Sequence, residues 1–156
     1  MSDQPIPESR TYRHIQCQNE TVVSGDPFKV VSNPMSSMEQ TQCADCAAMF
    51  PIADFEWADT GENLAAYYAR HTTSATDMQR FLCSKKFMGA LMALCAIPVA
   101  AGFYYLVRDE YLLLKGVCVF TGLFIGVVIG SNVFEKIFEK PITRKVCGVS
   151  DTRLLT

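Results

Sequence analysis

Two long apolar runs leave this chain few ways to fold. Phe87 to Val107 is 21 residues without one Asp, Glu, Lys or Arg. An α-helix of that length covers roughly 31 Å at about 1.5 Å per residue, close to the hydrocarbon thickness of a bilayer. Arg108, Asp109 and Glu110 follow. Tyr111 to Phe134 is then a second apolar run, interrupted only by Lys115. So short a connection permits only an antiparallel hairpin. The rest of the chain is too small to wrap two such helices in a soluble core. The expected fold class is a membrane α-helical hairpin of two transmembrane helices, 87–107 and 111–134, preceded by a small N-terminal α+β segment. The lipid bilayer is its first expected partner.

Details of the apolar half agree with that reading. Pro98 falls mid-run, where neighbouring helices can re-satisfy the carbonyl it frees, so a kink is expected rather than a break. Lys115 lies near a helix start and can snorkel to the interface. Tyr104, Tyr105 and Tyr111 cluster at the turn, as an interfacial aromatic belt does. Gly122, Gly126 and Gly130 form a row on one helix face, a pattern that lets two backbones approach closely. Its partner is either the first helix, with Gly89, Ala93, Ala96, Ala100 and Ala101, or another transmembrane protein or copy of the chain. Phe134, Ile137 and Phe138 then keep helical spacing against Glu135, Lys136, Glu139 and Lys140. An amphipathic extension to about 140 is expected, with Pro141 ending it and 141–156 a tail.

Charge is divided along the chain. The overall formal charge is −2, and Lys and Arg flank the apolar half at Arg80, Lys85, Lys86, Lys136, Lys140, Arg144 and Lys145. The positive-inside rule then places both termini in the cytoplasm, in a two-pass topology. The first stretch, Met1 to Glu20, is polar, so no cleaved signal is expected and the first helix serves as the targeting element. The N-terminal half is acidic without a basic patch, which argues against nucleic acid as a partner.

The soluble half is expected as a disordered 1–11 and a small domain over 12–83. Val22-Val23 and Phe28 to Val31, around Ser24-Gly25-Asp26-Pro27, read as two short strands and a turn. Asp59 with Glu62 resembles a capping box, which predicts a helix from about Thr60 to His71 with Leu64, Tyr67 and Tyr68 on one face. The acidic run Asp45, Asp54, Glu56, Asp59 and Glu62 reads as a solvated face with one cap.

The chemistry lies in the cysteines. Seven is an odd count, and a cytoplasmic compartment keeps them as thiols or metal ligands. Cys95 and Cys118 lie within the apolar runs and read as packing residues. Cys43-Ala44-Asp45-Cys46 can present two thiolates to one tetrahedral ion, and His14-Ile15-Gln16-Cys17 repeats the two-residue gap. The layout resembles a zinc ribbon over residues 12–52, in which two ligand-bearing knuckles pinch a small β unit. It departs from that family in beginning one pair with His and in lacking the glycine that follows such knuckles. The resemblance implies one tetrahedral zinc held by Cys43, Cys46, Cys17 and His14, and Cys83 and His71 are the alternative ligands. Redox use of the CxxC would call for a helix start in a βαβ pattern, which is not evident here. No catalytic constellation emerges. The expected function is a non-enzymatic accessory or scaffold subunit of a membrane complex. The alternatives are a thiol redox or electron-transfer protein and an oligomeric pore or transporter subunit.

Overall fold

A computed structural model describes residues 5–155, and contacts divide the chain into two units. The first comprises the segment up to Asp77 together with Ile142 onward; the second runs from Met78 to Pro141. The sequence expectation divides the chain at 83 and 140.

In the first unit, β1 (Ser9–His14) pairs antiparallel with β2 (Glu20–Ser24) on one side and β5 (Phe55–Trp57) on the other, in register Tyr12↔Thr21 and Tyr12↔Trp57. A second antiparallel pair joins β3 (Gln40–Cys43) to β4 (Ala48–Pro51). Alternation decides what is inside: Tyr12 and His14 of β1, and Phe55 and Trp57 of β5, face the core, each within 2% of full burial. Residues 9–11, expected to be disordered, are therefore strand, because the alternation of β1 begins there; residues 1–4 lie outside the described residues.

The segment expected as a second strand over 28–31 is instead a helix, α1 (Gly25–Val31). Gly25, at φ 60°, breaks the strand, and Pro27 lies in the first turn, where its missing N–H costs nothing. Phe28 and Val31, three apart, then bury one face. Helix α2 (Leu64–His71) starts later than its capping pattern suggests. Its cap is Asn63, whose side-chain oxygen accepts from the Ala65 N–H at 2.9 Å. Asp59 is drawn away by Arg10, at 2.9 Å and 3.1 Å, and Glu62 by Arg70, at 2.9 Å and 2.7 Å. Leu64, Tyr67 and Tyr68 are buried.

The last residues, expected as a tail, belong to this unit. Helix α6 (Lys140–Cys147) runs through Pro141. A π-helical turn, Phe134–Glu139, precedes it, so Pro141 falls in the first turn of a re-registered helix and its missing N–H is tolerated. Thr152 Oγ1 then meets Ser32 Oγ at 3.2 Å, Arg10 Nη1 donates to the Leu155 carbonyl at 3.3 Å, and Leu155 is 6% exposed in the core with Phe28, Trp57 and Tyr67. Leu155→Ala is expected to destabilise this unit by about 2–3 kcal/mol, the cost of a partly relaxed cavity. The emission of Trp57, the only tryptophan and fully buried, reports that loss during thermal unfolding.

The second unit is the helical pair. After α3 (Asp77–Leu82) come α4 (Lys85–Leu106) and α5 (Leu112–Val133), 22 residues each. Both are long and apolar enough to cross a membrane, and only 11% of each apolar window is buried. The glycine row of α5 faces α4 in antiparallel register. A Cβ on Gly122 would stand 2.8 Å from Ala100 Cα, one on Gly130 would stand 2.7 Å from Met92 Cα, and one on Gly126 would run into Ala96 Cα. The row is thus filled from within the chain. Gly89, counted among the small partners by sequence, has nothing within 4 Å of such a Cβ.

Candidate metal centre

Each half of the centre is a hairpin tip. His14 is the last residue of β1 and Cys17 lies in the loop to β2; the loop is closed by the Gln18 N–H donating to the His14 carbonyl at 2.8 Å. Cys43 is the last residue of β3, and Cys46 lies in the four-residue turn before Ala48, its register partner. The two pairs do not bracket one hairpin, as the sequence suggested; each tips its own, and α1 lies between them in the chain.

The residue after each knuckle is bent into the left-handed region: Gln18 at φ 60° and Ala47 at φ 50°. These are the two positions where a glycine was missed in the sequence. A side chain there costs about 1–2 kcal/mol, a strain the surrounding hairpins must hold. Ala47→Gly is expected to stabilise the unit by about 1 kcal/mol, the relief of that strain less the added chain entropy. A thermal melt followed by Trp57 emission measures it.

The tips converge. One ligand atom each from His14, Cys17, Cys43 and Cys46 lies within 4.8 Å of all the others. His14 Nδ1 is 3.1 Å from Cys17 Sγ and 3.8 Å from Cys46 Sγ, and Cys17 Sγ is 3.6 Å from Cys43 Sγ. A tetrahedral ion with bonds of about 2.3 Å to sulfur and about 2.0–2.1 Å to nitrogen sets edges of about 3.8 Å and about 3.6 Å. Two of the distances lie within about 0.2 Å of those edges, the His14–Cys17 distance is about 0.5 Å shorter, and the Cys17–Cys43 separation is far from the ~2.05 Å of a disulfide. These four residues can hold a metal ion. The alternatives, His71 and Cys83, are not among them. His71 ends α2 against Tyr67, where burial lowers its pKa, and Cys83 is buried at the end of α3.

Burial grades across the set. Cys43 and His14 are buried, Cys17 is half-buried and Cys46 is exposed. The His14 ring stacks on Phe50, with centroids 4.4 Å apart, and lies 4.9 Å from Phe55, which fixes its plane and turns Nδ1 to the thiols. Its Nε2 is buried without a hydrogen-bond partner among the described residues, and Nδ1 is the ring atom that faces the thiols. The Cys43 thiol is held below its ordinary pKa, first because the Cys46 backbone N–H donates to it. Cys46 is pushed up to about 12, because its hydrogen bonds to Cys17 and Cys43 retain its proton. Thiolates this close repel one another, and a cation placed among them offsets that repulsion.

Contacts that linear spacing did not reveal tie the tips together. Asn19 Nδ2 donates to Asp45 Oδ2 at 2.7 Å, and the Ala44 N–H donates to Thr21 Oγ1 at 3.2 Å. Below them the Tyr12 hydroxyl donates to the Gln42 carbonyl at 2.6 Å, joining the two sheets. Asn19 and Asp45 are 26 residues apart, as are Cys17 and Cys43. That equal offset is the only trace the clamp leaves in the sequence. No protein-family model, curated protein or solved structure matches this chain.

Proposed function

We propose that the protein is a non-enzymatic accessory or scaffold subunit of a membrane complex, in which a zinc-stabilised cytoplasmic module is carried on a two-helix anchor. The observation that carries this reading is the convergence of four ligand atoms within 4.8 Å at the tips of two hairpins. Zinc is favoured because three thiolates with one imidazole in tetrahedral array are a closed structural set, leaving no open position for substrate. The charge of the site also suits a divalent cation, which would offset all but one of the three thiolate charges.

Support for the anchor comes from what the helical pair leaves uncovered. Leu94, Ile97, Leu106, Leu112, Phe120 and Phe124 are all more than 60% exposed. A continuous apolar surface of that kind needs lipid or protein around it. The hairpin also interrupts one compact unit, leaving it at Asp77 and rejoining it at Ile142. A membrane excursion of this kind brings both flanks back to the same side, as a two-pass topology requires; the cytoplasmic assignment rests on the flanking Lys and Arg. A redox role finds less support, since the CxxC is a strand-to-strand turn rather than a helix start.

Metal analysis and native mass of the purified full chain test the reading together. One zinc per chain, lost with chelator along with the native Trp57 emission, is the expected result; a folded, metal-free chain contradicts it. Topology is checked in sealed vesicles with an impermeant thiol reagent. Read at the introduced residue itself, since native Cys46 is exposed, labelling of Ser150→Cys should occur only from the cytoplasmic side and labelling of Asp109→Cys only from the other.

A further inference from the structure

We propose that the end of the helical pair where α4 begins and α5 finishes is a collar for the headgroups of anionic phospholipids, formed by Lys85, Lys86 and Lys136. The inference rests on the membrane-spanning reading and adds to it the class of lipid. The two helix ends meet through Phe87, whose ring centroid lies 6.4 Å from that of Phe134 and 5.0 Å from that of Phe138. Lysines from two chain segments therefore surround one end of the pair.

Lys85, Lys86 and Lys136 are all exposed, and none has an ion-pair partner among the described residues. The acidic residues at this end are already engaged: Glu135 holds Lys140 at 2.8 Å, and Glu139 has an interaction of its own. The opposite end differs. There Arg108 pairs with Asp109 at 3.3 Å, and Glu110 adds a further negative charge. Lys115, one turn into α5, brings that end to balance, with Arg108 and Lys115 against Asp109 and Glu110, whereas Lys85, Lys86, Lys136 and Lys140 outnumber Glu135 and Glu139 at the other, so only the latter carries a cationic surplus at the depth of a headgroup layer.

Local stability does not account for these lysines. Lys85 and Lys86 occupy the first turn of α4, where no acidic residue offsets them and the helix dipole opposes cations. A layer of phosphates outside that turn reverses the sign of the interaction, as an anionic leaflet does for juxtamembrane lysines. Ile137, next to Lys136 and 60% exposed, adds apolar surface at the same level.

The test uses the full chain reconstituted in phosphatidylcholine vesicles containing a minor fraction of phosphatidylserine. Spin-labelled phosphatidylserine and spin-labelled phosphatidylcholine are the probes, and resistance to carbonate extraction reports insertion separately. The inserted protein should immobilise phosphatidylserine about threefold over phosphatidylcholine, as expected for a few lysines near the surface. Molar salt should remove the preference, since the Debye length is then about 3 Å. The triple variant Lys85→Gln, Lys86→Gln, Lys136→Gln should lose it, the corresponding triple Arg variant should keep it, and Arg108→Gln should leave it unchanged. Equal immobilisation of both probes by inserted wild type, or a preference that survives the Gln variant, overturns the collar. Extraction by carbonate overturns the spanning reading and the collar with it.

Discussion

Serine in place of Cys43 is expected to abolish metal binding and unfold the N-terminal module while the helical pair keeps its structure. Cys43 is fully buried and lies 3.6 Å from Cys17, and among the described residues no other thiol belongs to the group of four. A serine hydroxyl remains protonated near neutral pH and is a poor ligand for a borderline-soft ion. Structural zinc contributes about 10–16 kcal/mol of apparent free energy in small zinc-dependent peptides. This module also has an apolar core of its own, built on Tyr12, Phe28, Phe55, Trp57, Leu64 and Tyr67. The expected loss is therefore smaller, on the order of 4 kcal/mol, still among the largest single-substitution effects. Metal content and Trp57 emission are read on one sample. Cys83→Ser is the control, because Cys83 is outside the group of four. A Cys43→Ser protein that keeps stoichiometric metal refutes the site; metal loss in Cys83→Ser instead points to the alternative ligand set.

The second large effect is expected at Gly126. Even a Cβ there collides with Ala96 Cα, and the Cys95 carbonyl oxygen and Ala96 nitrogen stand only 2.8 Å and 2.9 Å away. All three are backbone atoms, so no rotamer change relieves the clash. Gly126→Leu must push α4 and α5 apart, at a cost of about 3 kcal/mol or more. Gly116 has nothing within 4 Å of an added Cβ, and Gly116→Leu should be tolerated. Crosslinking between cysteines introduced at facing positions of the two helices, in detergent or bilayer, distinguishes the variants. Wild-type crosslinking by Gly126→Leu would mean that the contact does not hold the pair together.

Legibility followed the range of the interactions involved. The apolar spans could be read because length and composition are properties of a single segment: 87–107 and 111–134 became Lys85–Leu106 and Leu112–Val133. Residues 28–31 could not. Phe28-Lys29-Val30-Val31 is β-prone in isolation, yet in the fold Phe28 and Val31 are buried from one side only, which suits a helix. The cap of α2 was misplaced for a similar reason. Asp59 and Glu62 had the right spacing, but Arg10 and Arg70 engaged both carboxylates and left the cap to Asn63.

For the candidate metal centre, the amino-acid order alone determined which residues are chemically able to bind and that His14 with Cys17, and Cys43 with Cys46, sit at ligand spacing within their own turns. It also carried the departures from the knuckle pattern at Gln18 and Ala47, which the fold accommodates as left-handed residues. Only the tertiary structure decided that the two turns face each other, that His71 and Cys83 are left out, and that Asn19 and Asp45 clamp the tips. It decided too that the glycine row is filled by α4 and that Leu155 closes a core begun at Tyr12. The physical reason is the same in each case. A turn's geometry is set by a few adjacent dihedral angles, whereas bringing together groups 26 or more residues apart depends on which apolar faces the whole chain can bury at once.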